Sequence, residues 1–206
     1  MNLLQRPNVF EKVKEEISQV VNIDKDSNKL HLDTPALIAL PWLLAVYTET
    51  LRLRVHFNVI REITQDIEID GHILKAGHIV MAPTYIAHTA DPSWTNEKFP
   101  VKEFYPERFL IFDEKGLTPK FSVGRAGGKM FPYGGGIYLC PGRHFAKQEI
   151  MTAIALVILR FDFEVLGYVK MDGTRSERGP RLDEEFVGSG AVPPDRDMRV
   201  RLRKRG

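Results

Sequence analysis

The 206 residues carry 29 Lys and Arg against 27 Asp and Glu, a formal net charge of +2. That balance gives no electrostatic case for a nucleic-acid partner, and a single cysteine excludes an internal disulfide. With 43% hydrophobic and 27% charged residues, the chain is globular and long enough for one domain with a real core.

The longest apolar runs, 37–47 and 150–159, fall short of the roughly 20 residues a membrane span needs. No basic start followed by an apolar block marks a signal peptide in residues 1–21. Those residues predict one amphipathic helix, with Val9, Phe10, Val13, Ile17, Val20 and Val21 on its apolar face. Residues 22–33 are polar and read as a loop. Thr34 followed by Pro35 is a helix-start signal. Pro41 restarts the pattern, and a helix runs from there to Leu53. It carries Glu49 and Arg52, three apart and so on one face. Taken alone, that pair reads as an exposed ion pair worth about 0.5 kcal/mol.

Strands follow. Val59, Ile60, Ile63, Ile67 and Ile69 are β-branched, and Asp70-Gly71 is a tight-turn dipeptide. Ile73, Leu74, Ile79, Val80 and Met81 continue the sheet. His88 has no second His or carboxylate at ligand spacing, so it reads as structural. Residues 104–109 are aromatic and should pack. Residues 110–130 read as a long irregular stretch.

Residues 131–146, FPYGGGIYLCPGRHFA, hold the only cysteine, Cys140. Pro141 suits the first turn of a helix, and Ile150, Ile154, Val157, Ile158 and Phe161 predict its apolar face. Cys140 is then at or just before a helix N-terminus, which favours a thiolate. The glycines let something flat approach the backbone. A shielded thiolate on such a loop suits an axial ligand to haem iron. A lone cysteine is more often a small buried hydrophobe, and a glycine run more often a turn. Beyond the cysteine helix, 162–166 reads as a strand, 168–187 as a charged loop and 188–192 as a small turn. Residues 198–203 alternate Arg199, Arg201 and Arg203 with Val200 and Leu202, a half-buried strand with its arginines in water.

The order of residues around Cys140 resembles the haem-binding loop of cytochromes P-450, Phe-Gly-x-Gly-x-Arg-x-Cys-x-Gly. Tyr133 stands at the Phe position, Gly134 and Gly136 at the glycines, Cys140 at the cysteine and Gly142 at the final glycine. Tyr138 replaces the Arg that binds a haem propionate in the family, a departure shared with some sterol hydroxylases and many fungal members. Arg61 sits at the offset where related sterol hydroxylases carry a propionate-binding Arg. Two further family motifs occur in order: Glu-x-x-Arg at Glu49 and Arg52, then Pro106-Glu107-Arg108-Phe109.

The resemblance implies a mainly helical α+β fold with small sheets, spanning the C-terminal part of a fungal-type cytochrome P-450 domain from the J helix onward. It implies haem b ligated by Cys140, and Glu49, Arg52 and Arg108 joined in a buried structural network. Gly188, Ser189, Ala191 and Val192 would project toward a substrate. The implied activity is monooxygenation of a lipophilic small molecule. Electrons would come from an NADPH-cytochrome reductase docked on Arg125, Lys129, Arg143 and Lys147. A full-length parent would reside at the endoplasmic reticulum membrane. The family's acid-then-Thr helix for proton delivery has no match before Glu49. The expectation is therefore that the N-terminal half is absent and the 206 residues alone are inactive. The alternative is a truncated, non-catalytic relative acting as an interaction protein, or a partial gene product.

Overall fold

In the computed structural model, residues 1–23, 30–90, 92–94, 99–124 and 127–205 are described. Helix exceeds strand, at 38% against 30%, and the strands lie in small sheets.

Helix α1 (Pro7–Gln19) starts with proline at its first position and buries Val9, Val13 and Ile17. That is the i, i+4, i+8 stripe of an amphipathic helix. The expected single helix through Val21 is not observed. A 3-10 turn, Asn2–Gln5, precedes α1, and Val21 leaves the helix to open strand β1 (Val21–Ile23). Two adjacent valines are stiff at χ1 and fit a strand better. Strand β2 (Leu30–Leu32) pairs with β1, Val21 opposite Leu32, where a polar loop was expected; residues 24–29 of that loop lie outside the described residues.

Helix α2 (Thr34–Leu37) is capped by Asp33, whose carboxylate accepts from Ala36 N at 3.0 Å. The cap is thus one residue before the expected Thr34. Helix α3 (Pro41–Arg54) is buried on most of its faces. Leu40, at its N-cap, has no side-chain acceptor. Glu16 of α1 supplies one instead, accepting from Trp42 N and Leu43 N at 2.9 and 3.2 Å. Burial raises the Glu16 pKa and these two bonds oppose the rise. The carboxylate meets the positive end of the α3 dipole.

Strand β3 (Val55–Glu62) leaves α3 without a loop. The hairpin of β4 (Ile67–Ile69) and β5 (His72–Leu74) turns at Asp70 and Gly71, with φ of 55° and 79°. Both values are left-handed, as a type I′ turn requires. Strand β6 (Ile79–Pro83) returns to pair with β3. The expected single sheet is therefore two, because β4 and β5 pair only with each other. Ile60, Ile69, Ile73 and Ile79 are more than half exposed.

Helix α4 (Thr84–Thr89) follows, then β7 (Leu110–Phe112) and β8 (Pro119–Phe121), an antiparallel hairpin. It stands where an irregular stretch was expected. Trp94 and Phe109 are buried, in edge-to-face contact at 6.1 Å.

Helix α5 (Arg143–Arg160) starts two residues later than expected; Gly142 is its N-cap and Pro141 lies outside it. Its buried stripe is Met151, Ala155 and Ile158, whereas Ile150 and Val157 are 39% and 43% exposed. The buried face is thus rotated from the expected one, and Phe161 begins β9 (Phe161–Lys170) rather than ending the helix. Strand β10 (Arg175–Ser176) extends the sheet from the segment expected to be loop. The expected turn at 188–192 is strand β11 (Ser189–Ala191), paired with β3 in the order β11-β3-β6. The final strand, β12 (Arg196–Lys204), pairs along β9 and exposes Arg199, Arg201 and Arg203. The core lies where α1, α3 and α5 meet, closed by Trp94 and Phe109.

Candidate functional site

The α3 helix brings Glu49 and Arg52 to one face, three residues apart, with both side chains wholly buried. Arg52 donates from Nε to Glu49 Oε2 at 2.7 Å and from Nη2 to Oε1 at 2.8 Å. Arg108, on the 3-10 turn Pro106–Phe109, donates from Nε to Glu49 Oε1 at 3.0 Å. Tyr105 N donates to the same oxygen at 3.0 Å. The one carboxylate therefore takes four donors, the geometry in which a buried charge is tolerated. Burial lowers the Arg108 pKa, opposed by the Glu49 charge. The free Arg108 nitrogens reach Trp94 O and Pro100 O at 2.8 and 3.1 Å.

From this network a path leads to the cysteine loop. Arg52 Nη1 donates to the His88 carbonyl at 2.8 Å. The His88 ring accepts the Phe131 N–H at Nε2, 2.8 Å away. Accepting there places the proton of the neutral imidazole on Nδ1. His56, wholly buried on β3, lies 5.4 Å from the His88 ring and donates from Nε2 to Leu53 O at 3.0 Å. Neither His56 nor Phe131's partner is legible from spacing in the sequence.

Burial first, then the neighbouring His56 and Arg52, lowers the His88 pKa to about 4. His56 is lowered by burial too. Against about 6.5 in an unfolded chain, the unfolded state takes the proton first, so acid favours unfolding. The stability lost between pH 6.5 and 4 is about 3 kcal/mol from His88 alone. Between pH 7 and pH 5 the urea midpoint should fall by the equivalent of about 2 kcal/mol, and His88→Gln should flatten the dependence. A midpoint indifferent to pH in the unaltered chain would contradict this.

The loop itself is a set of tight turns. Gly134 N donates to Phe131 O at 3.1 Å, Leu139 N to Gly136 O at 3.2 Å and Cys140 N to Tyr133 O at 2.9 Å. Gly134 and Gly136 have φ of 80° and 61°, values that favour glycine. The Tyr133 hydroxyl pairs with Tyr47 on α3 at 2.5 Å, and burial raises the Tyr47 pKa. Arg143 Nη1 donates to Cys140 O at 3.1 Å.

Cys140, half-buried, lines a cavity of about 360 Å³ with Arg61, Tyr138, Gly134 and Gly135. Strand β3, which carries Arg61, also gives the wall Phe57, Asn58 and Val59. The Arg61 guanidinium lies 4.4 Å over the Tyr138 ring, a cation–π distance. Gly142 packs so that a Cβ would stand 3.8 Å from Cys140 Sγ. Gly188, Ser189, Ala191 and Val192 are not on this wall. Gly188 backs onto Asn58, where a Cβ would meet Asn58 Nδ2 at 2.9 Å. Val192 is 4% exposed and its N–H is held by Arg54 O at 2.7 Å. Of the basic residues, Lys147 is half-buried, which lowers its pKa; Arg125 lies outside the described residues.

A family model described as Cytochrome P-450 matches residues 1–176, which include the Glu49 network and Cys140. The chain belongs to the cytochrome P-450 family. It is 37% identical over 204 residues to the cytochrome P-450 monooxygenase calL of Penicillium decumbens, covering 99% of this chain and 38% of that protein. It is 28% identical to the cytochrome P-450 monooxygenase efuG of Hormonema carpetanum, covering 100% of this chain and 39% of the relative. A human relative, 7-alpha-hydroxycholest-4-en-3-one 12-alpha-hydroxylase, is 28% identical over 98% of this chain and 40% of its own length. This cytochrome P-450 chain thus spans about two fifths of the length of these relatives. Among the described residues no helix is long and apolar enough to cross a membrane.

Proposed function

We propose that the chain is the C-terminal, thiolate-bearing part of a cytochrome P-450 domain that inserts one atom of O₂ into a lipophilic small molecule. The observation that carries this reading is Cys140 on the wall of a cavity shared with Arg61 and the glycine backbone. Haem b is the cofactor, and the residues present fit it. A thiolate is the ligand that favours O–O cleavage. Gly134 and Gly135 put backbone, not side chain, on the cavity wall. Arg61 gives that wall a cation for a propionate, at the place left by Tyr138 in the motif. Ile137, Tyr138 and Phe145 beside the cysteine are at least two-thirds exposed, an apolar surface that suits cover by a macrocycle.

When bound, haem supplies the redox chemistry. The chain's own residues set its conditions. Cys140 would ligate the iron, with its carbonyl engaged by Arg143 and its N–H by Tyr133 O. Glu49, Arg52 and Arg108 hold the scaffold behind the loop. Gly188, Ser189, Ala191 and Val192, on and flanking the strand beside β3, would meet a substrate that extends past Asn58. Lys129, Arg143 and Lys147 are the described basic residues that would meet an acidic NADPH-cytochrome reductase. By family resemblance, a full-length parent of this chain would reside at the endoplasmic reticulum membrane.

The test is isotopic. The haem-loaded protein of which this chain is the C-terminal part, with reductase and NADPH, is given labelled O₂ and a panel of lipophilic compounds. One labelled oxygen atom per product molecule is expected. Product carrying only solvent oxygen, or NADPH consumed with no oxygenated product across the panel, would sink the reading.

A further inference from the structure

We propose that His88 is a positioning residue for Cys140, coupling the Glu49 network to the cysteine loop by accepting the Phe131 N–H at the loop's first residue. The geometry stands without any cofactor; its consequence for the iron ligand rests on the haem-thiolate reading above.

Two nearby contacts anchor the start of the loop to the rest of the fold. At Tyr133 the hydroxyl meets Tyr47 of α3. At Phe131 the backbone N–H meets His88 Nε2 at 2.8 Å, from a residue 43 positions away in sequence. Pro132 lies between them and has no N–H to offer. The two anchors therefore frame the start of the turn whose Tyr133 carbonyl receives the Cys140 N–H.

His88 suits this task because its backbone and its ring are each engaged, one with Arg52 and the other with Phe131. Its own backbone carbonyl is tied to Arg52 Nη1 at 2.8 Å, and Arg52 is tied twice to Glu49. The side chain is wholly buried, with the His56 ring at 5.4 Å and Arg52 nearby, an environment that disfavours imidazolium and so preserves a lone pair at Nε2. Arg52 and His88 both have fixed partners, so a displacement of α4 against α3 moves the Phe131 amide with it. Without the acceptor, a part-buried N–H loses its partner and the loop end is free to open.

Glutamine and asparagine separate the acceptor from the ring. A Gln oxygen reaches about as far as Nε2, whereas an Asn oxygen reaches only as far as Nδ1. In the haem-loaded protein, backbone amide exchange is measured at Phe131 and Cys140, together with the half-life of the thiolate-type spectrum of the reduced carbonyl complex in mild urea. His88→Asn should speed Phe131 exchange roughly tenfold, the loss of one hydrogen bond, and shorten the spectral half-life by a similar factor. His88→Gln should restore both toward the unaltered protein. Unchanged exchange in His88→Asn overturns the proposal, as does equal loosening in the two variants. The Cys140→Ser protein separates the two readings. If it keeps a thiolate-type spectrum, the haem assignment fails, while the Phe131 exchange rates still judge the His88 link.

Discussion

Glu49→Ala is expected to cost roughly 3–5 kcal/mol of stability, the range for removing one partner of a buried ion pair. The Glu49 and Arg52 side chains are wholly buried and that of Arg108 is 6% exposed. Removing the carboxylate leaves two guanidinium groups facing each other and four donors, the Tyr105 N–H among them, without their acceptor. Water has no ready route to replace it. The damage would spread, because Arg52 also holds His88 O and Arg108 also holds Trp94 O. Poor expression, a lowered urea midpoint and loss of haem are expected together. Glu49→Gln, which keeps an acceptor but not the charge, should fall between. A Glu49→Ala protein with an unchanged midpoint and full haem content, defective only in turnover, would show that the role is not structural.

Much of the helical frame was legible in the sequence, because Pro41 and the spacing of Val9, Val13 and Ile17 are local signals, although the start of α1 at Pro7 was not read. The phase of α5 was not. That helix carries apolar residues on several faces, so periodicity alone does not say which is buried, and tertiary packing selects Met151, Ala155 and Ile158 over Ile150 and Val157. The β7–β8 hairpin hid in a stretch of weak pattern, with Ile111 and Phe112 exposed rather than inward. Strand β11 read as a turn because of Gly188 and Gly190; it becomes a strand only by pairing with β3, far away in sequence.

In the site, the i, i+3 spacing of Glu49 and Arg52 was visible but their burial was not, since an isolated helix face gives no measure of what covers it. Arg108 entered only through resemblance to a known motif. Glu16 looked like one more solvated acid on α1. The signal that could have found it is negative: Leu40 before Pro41 offers no cap, so a helix start there needs an acceptor from elsewhere. The His88–Phe131 bond left no trace in spacing, because it joins two segments through tertiary structure alone.

The second large effect is at Cys140. No other cysteine exists in these 206 residues, so no second thiolate within them can take its place on the iron. The serine hydroxyl has nearly the same shape, and Cys140 is half-buried with its own backbone held by Tyr133 O and Arg143. Cys140→Ser should therefore preserve the fold and the urea midpoint to within about 1 kcal/mol, while the ligand chemistry changes completely. The measurement is the absorption spectrum of the reduced carbonyl complex of the haem-loaded protein, unaltered and Cys140→Ser, at matched haem content. The thiolate-type spectrum should be present in the first and absent from the second. The same thiolate-type spectrum in both would mean that Cys140 is not the iron ligand.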